Sequence, residues 1–245
     1  MENSTGFLDT LIKYFGARRI RDITHDDIEQ FKLLRLNNVT VRGKPRTIAS
    51  VNRELELMRA VMRFASRHGW IMRSPFESGA PVISKSDERR RERVLTDDEE
   101  TRLLAACTGR RAHLKSLLIA ALDTGMRRGE LFKLQWSYVS GGTITVRAMN
   151  SKTARPRIVP MTSRVAQELE TLRASAPPDS NGLVFGITDT VKKSFAAACK
   201  AAGIDGFRLH DCRHTAITRM IAAGIPSSEV MKISGLRRWA RFCVT

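Results

Sequence analysis

"GGTITVRAMNSKTARPRIVPMT", residues 141–162, is where the chain's apolar residues change their period. Ile144 and Val146 alternate with polar neighbours, and the β-branched Ile158 and Val159 follow "NSKTARP". β-branched residues on both sides of a Ser-Lys-Thr-Ala-Arg-Pro tip predict a small hairpin or three-stranded sheet. Such a patch inside helical sequence predicts a mainly α fold carrying one small antiparallel sheet.

The sequence on either side has helical spacing. "HLKSLLIAALDTG" (113–125) is an apolar helix ending at Gly125, and a short helix, "RRGELFKLQW", follows at once. Before it, "LTDDEETRLLAAC" opens with a capping box from Thr96 to Glu99. After the sheet, helices are expected at about 163–174, 189–202, 210–223 and 226–234. The stretch "ESGAPVISKSDERRRERV" (77–94) is polar and has no usable period, so it predicts a boundary. The expected organisation is a helical domain over 1–80, a linker over 81–95 and a mixed α/β domain over 96–245.

The first domain is expected to be all helical. "THDDIEQFKLLRLN" offers Thr24 as N-cap and Ile28, Phe31 and Leu34 as an apolar face. "TIASVNRELELMRAVMRFASRHGW" spaces Ile48, Val51, Leu55, Met58, Met62 and Ala65 at three- and four-residue steps, and Gly69 ends it. Lys44, Arg46 and Arg53 near its entry are spaced to meet a DNA backbone; a solvated helix end is the competing reading of each.

Charge narrows the class of partner. Forty-two Lys and Arg stand against 25 Asp and Glu, a net charge of +17. Residues 1–95 carry +7 and residues 96–245 carry +10, so the excess is spread over both halves and not held in a tail. A folded basic surface of this kind points to a polyanion, above all nucleic acid. The four cysteines lie far apart with no CxxC pair, which predicts reduced thiols. No apolar run reaches membrane-spanning length and the N-terminus has no signal-peptide pattern, so a cytoplasmic location is expected.

A site that attacks a phosphodiester needs bidentate donors for the non-bridging oxygens and an acid for the leaving oxygen. "TGMRRGEL" (124–131) supplies Arg127 at the mouth of a helix, with Glu130 three residues on, positioned to hold the guanidinium. "LHDCRHT" (209–215) supplies His210 and Arg213 at i,i+3, and Lys152 at the hairpin tip is the mobile acid. His210 and His214 at i,i+4 have the spacing of a zinc pair. The helix has no intervening glutamate and there is no second ligand pair, so no metal is expected.

Taken together, these segments resemble the tyrosine recombinases, the phage integrase family of site-specific recombinases. "TGMRRGEL" is similar to that family's first arginine box, Lys152 to its hairpin lysine, and "LHDCRHT" to its His-x-x-Arg box. "TIASVNRELELMRAVMRFASRHGWIMRSPF" resembles the end of its helical core-binding domain. The resemblance implies a core-binding domain and a catalytic domain that embrace double-stranded DNA, with a homo-tetramer on paired sites. It implies that Arg127 and Arg213 clamp the scissile phosphate, Lys152 protonates the leaving 5′-hydroxyl and His210 assists proton transfer. No metal or other cofactor is implied.

"MKISGLRRWARFCVT" (231–245) departs from the family pattern after "ISG". Leu236 stands where the family carries histidine or tryptophan, and the count to the nucleophilic tyrosine ends at Thr245. The two tyrosines, Tyr14 and Tyr138, sit where packing is the expected role, so no nucleophile is assigned. A frameshift or truncation just after Gly235 is the expectation, and the short approach to the first helix is consistent with a lost N-terminal domain. DNA strand cleavage is therefore expected to be impaired. The alternative is an inactive DNA-binding remnant or regulator that occupies recombination sites.

Overall fold

The alternating stretch forms the expected ladder. In a computed structural model of the chain, which describes residues 2–40, 43–88, 92–147, 156–175 and 182–236, three short strands pair antiparallel in the order β1-β2-β3. They are β1 (Val139–Ser140), β2 (Thr143–Val146) and β3 (Arg157–Pro160), with Ile144 opposite Val159 and Val146 opposite Arg157. Ile144, Val146 and Val159 point into the core, whereas Ile158 is exposed. The two-residue period thus puts Arg157 on the same side as Val159.

Ten α-helices accompany the strands among the described residues, so the fold is mainly α with a small antiparallel sheet. The chain divides into two compact units, Met1–Arg91 and Glu92–Thr245, each with its own hydrophobic cluster. In the first, α1 (Glu2–Phe15) and α2 (His25–Asn37) both pack on α3 (Ile48–Arg67). Thr24 caps α2: its hydroxyl accepts from the Asp27 amide at 3.2 Å, and the Asp27 carboxylate accepts from the Thr24 amide at 2.9 Å. The predicted apolar face of α3 is buried from Val51 to Ala65.

One residue of α2 departs from its expected place. Ile28 and Phe31 are buried but Leu34 is exposed. Six residues on from Ile28, Leu34 has rotated well off the face; seven residues on, Arg35 lies in line with it. Arg35 turns inward and makes a two-pronged bond to the buried Glu54 of α3, Nε to Oε2 at 2.7 Å and Nη2 to Oε1 at 2.6 Å.

The expected linker is docked over its described residues. Val82 is buried in the first unit's cluster, its carbonyl accepts from Lys32 Nζ at 2.7 Å, and the Asn52 side chain donates to the Ser84 carbonyl at 2.9 Å. At the other end, Leu95 is buried in the second unit and its amide donates to Thr215 Oγ1 at 3.0 Å. Backbone groups lacking a local partner have found side chains on packed helices, and composition alone does not reveal that pairing.

The second unit begins with α4 (Asp97–Ala105), whose Thr96–Glu99 box closes as its sequence predicts. α5 (Leu114–Thr124) is apolar on nearly all sides and is buried accordingly, packed on α7 (Ser163–Ser175) and α9 (Leu209–Ala222). It ends at Gly125, whose φ of +62° is the left-handed conformation of a helix end. A Cβ at Gly125 would lie 3.3 Å from the Cβ of Ala216, so the glycine also lets α9 come close. The five-residue α6 (Arg128–Phe132), α8 (Lys192–Ala201) and α10 (Ser227–Ser234) complete the unit.

Candidate active site

Arg127 sits in extended backbone (φ −71°, ψ 147°) immediately before α6. One turn later the Glu130 carboxylate reaches back. Oε2 accepts from the Arg127 amide at 2.8 Å and Oε1 from Arg127 Nη1 at 2.9 Å. The side chain of Glu130 is 1% accessible. A buried carboxylate is tolerated only when fully paired, and one arginine does not saturate it.

Arg157 completes the pairing, and no motif in the sequence marks it as a site residue. Its Nη1 donates to Glu130 Oε1 at 3.0 Å and its Nη2 to Oε2 at 2.6 Å. Its Nε donates to the Ile233 carbonyl at 2.8 Å, which ties β3 to the last turn of α10. The signal was present in the period-two pattern, because an arginine on the core side of a strand has to find an acid. Burial pushes the Glu130 carboxyl up, but Arg157 first and then Arg127 outweigh it and hold the group below its ordinary range.

The His-x-x-Arg segment arrives on α9. Asp211, in the first turn, accepts from the Arg208 amide at 2.8 Å and fixes the start of the helix. Arg213 is 5% exposed, and its Nη1 donates to the Gly125 carbonyl at 2.5 Å, two residues before Arg127. Burial lowers its guanidinium to about 9, with Arg127 and Arg157 pushing the same way and Glu130 opposing them. Arg127 in turn donates from Nη2 to the Gly235 carbonyl at 2.7 Å. Three arginines and one glutamate from α6, β3 and α9 therefore form one cluster with an excess of positive charge.

His210 lies beside this cluster, partly shielded and partly open to solvent, with its ring 5.6 Å from that of His214. Its imidazole is lowered by burial, then by His214 and Arg213, with Arg127 contributing in the same direction. It is therefore neutral at neutral pH and accepts a proton more readily once a negative group is near. Among the described residues no group of three His, Cys, Asp or Glu side chains could hold a metal ion.

The remaining candidates lie elsewhere. Lys152 and Thr245 fall outside the described residues. Lys44 and Arg53 are exposed on the first unit. Arg46 is drawn 3.7 Å from Glu54 with its side chain 22% accessible, so it does not stand free as a surface cation. Tyr14 packs with Phe15 and Phe31, and the Tyr138 hydroxyl accepts from Arg147 at 2.7 Å above the core of the second unit. Leu236 is half-buried. Cys107, Cys199 and Cys212 are buried free thiols, and burial raises Cys199 to about 11. No helix among the described residues is long and apolar enough to cross a membrane.

The chain is similar in sequence and in fold to known recombinases and integrases. The chain is 30% identical over 227 residues to the shufflon-specific DNA recombinase of Escherichia coli, across 91% of this chain and 57% of that protein. It is 26% identical over 262 residues to the integrase of Salmonella phage P22, across 91% of this chain and 65% of that protein. It thus spans about three-fifths of the length of these relatives. Its fold is similar to that of a lambda integrase (75–356) dimer bound to a COC′ core site. The TM-score is 0.75 at 20% identity, covering 97% of this chain and 84% of the other. Residues 93–240, which include the whole described arginine cluster, match the model of the phage integrase family. The chain belongs to that family, the tyrosine recombinases.

Proposed function

We propose that the chain binds double-stranded DNA at recombination sites, with Arg127 and Arg213 gripping one backbone phosphate. In this reading Lys152 is the acid for a leaving 5′-oxygen, His210 moves a proton beside the phosphate, and Lys44 and Arg53 add backbone contacts. Intact assemblies are homo-tetramers on paired sites. Strand cleavage is impaired, because position 236 carries an aliphatic leucine that cannot donate to phosphate and position 245 carries threonine. An alcohol is far less acidic than a phenol, which makes Thr245 a poor nucleophile and leaving group.

The observation that carries this reading is the shared buried cluster. Arg213 holds the Gly125 carbonyl while Arg127, two residues on, is held by Glu130. Two guanidiniums brought together against their own repulsion, with acid for only part of their charge, form a receptor for a further anion. The net charge of +17 supports a polyanionic ligand.

Retardation of duplex DNA over a salt series, together with nicked suicide duplexes from the DNA flanking the gene, tests both halves. With about six phosphates contacted, log affinity falls against log salt at a slope near −5. No covalent protein–DNA adduct survives denaturation. A flat salt response removes the DNA reading; an adduct removes the impaired-cleavage reading.

A further inference from the structure

Arg157 invites an explanation beyond charge balance. It opens β3 on the side that faces the core, where its neighbour two residues on is the fully buried Val159. An apolar residue there would pack without needing any partner, whereas an arginine has to satisfy a buried cation. Arg157 does so with three bonds to three acceptors: both oxygens of Glu130 and the carbonyl of Ile233. Its side chain is 9% accessible, against 22% for Arg127.

The two arginines therefore divide the work of the shared carboxylate. A fork-to-fork pair fixes the plane of both partners, so Arg157 fixes the plane of Glu130. That carboxylate then meets Arg127 twice, at its amide and at Nη1. On its other edge Arg127 is held by the Gly235 carbonyl, and Gly235 follows directly on the α10 turn that Arg157 anchors through Ile233. Both supports of the Arg127 guanidinium thus lead back to Arg157. The Nε of Arg127 and one hydrogen on each of its terminal nitrogens remain outside these bonds.

We propose that Arg157 is a positioning residue: through Glu130 and the end of α10 it fixes the plane in which Arg127 offers its remaining donors to a phosphate, and it touches no phosphate itself. This rests on the phosphate-binding reading of Arg127 above. A lone arginine on a 22%-accessible stem has several rotamers open to it, and a preset plane removes that entropy cost before the anion arrives.

A double-mutant cycle on duplex binding tests the proposal, using the full chain and retardation at several salt concentrations. Arg127→Gln is expected to weaken binding about tenfold and to flatten the salt slope by about one. Arg157→Gln is expected to do nearly the same although it contacts no DNA, and the double variant is expected to bind no more weakly than Arg127→Gln alone. Arg157→Lys keeps the charge and one donor but loses the fork, so an intermediate loss is expected. It also serves as the readout if Arg157→Gln does not fold. Additive losses in the double variant would overturn the proposal by making Arg157 a phosphate contact in its own right. Unchanged affinity in the folded Arg157 variants, with only a lowered melting temperature, would overturn it by making Arg157 merely structural. If Arg127→Gln itself leaves binding unchanged, the phosphate reading fails instead.

Discussion

The Arg127 guanidinium is bonded to the carbonyl of Gly235, 108 residues away, at 2.7 Å, and a side chain on the same glycine would crowd that guanidinium. A Cβ on Gly235 would lie 3.3 Å from Arg127 Nη1 and 3.2 Å from the Arg157 guanidinium carbon. Its φ is +68°, in the left-handed region that residues with a Cβ adopt only at a cost. Gly235→Ala is therefore expected to lose about 1–2 kcal/mol of stability from the backbone alone. It is also expected to displace Arg127. Thermal melting reads the first effect and a weaker, less salt-dependent DNA complex reads the second. A variant that melts lower but binds normally would separate the glycine from the arginine.

Glu130 holds two arginines with a carboxylate that is almost fully buried. Removing one partner of a buried pair costs about 3–5 kcal/mol, because the other charge is stranded. Glu130→Gln is expected to fall in that range by denaturant melting, since the new amide hydrogens face guanidinium donors. The pairing holds the Glu130 carboxyl below its ordinary value, so its contribution is complete above the unfolded carboxylate range. That contribution is lost as pH falls through the lower folded value. The wild-type protein is thus expected to lose more stability on acidification than the variant does.

His210 acts on stability with the same sign, at higher pH, but on DNA binding with the opposite one. Its folded pKa is lowered, so the unfolded chain binds the proton first and stability falls as pH drops below about 6.5. A bound phosphate reverses the local field and favours the imidazolium. DNA binding is therefore expected to tighten, relative to neutral pH, as pH falls from about 7 toward 5.5. Proton uptake on binding, measured by calorimetry in buffers of different ionisation enthalpy, checks this directly. Its persistence in His210→Gln would assign the proton to another group.

The helices and the sheet were legible in the sequence because each follows a local rule. The period of two at 143–146 and 157–160, the Thr96 cap and the Gly125 stop all act within a few residues. Arg127, Glu130, His210 and Arg213 were legible as motifs for the same reason. The long-range electrostatics were not. Arg157 meets its acceptors 27 and 76 residues away, and Arg35 reaches Glu54 across two helices. The polar stretch after Ala80 reads as a tether until Lys32 and Asn52 are seen holding its carbonyls. Inward arginines on otherwise apolar faces were the available clue in both units, and each implied an acid whose place only tertiary packing could fix.

Thr215 offers a test that separates the fold of α9 from the chemistry it carries. Its hydroxyl is fully buried, donates to the Asp211 carbonyl at 3.0 Å and accepts the Leu95 amide at 3.0 Å. Thr215→Val keeps the shape but leaves that amide without a partner, at a cost of about 1–3 kcal/mol. Thr215→Ser keeps both bonds and loses one methyl, which costs about 1 kcal/mol. Neither change reaches the guanidiniums, because Arg213 is fixed from the other side by Gly125. The expected result is a lower melting temperature in Thr215→Val than in Thr215→Ser, with the same DNA salt slope in both. A slope that falls in Thr215→Val alone would mean that the start of the second unit also sets the aim of Arg213.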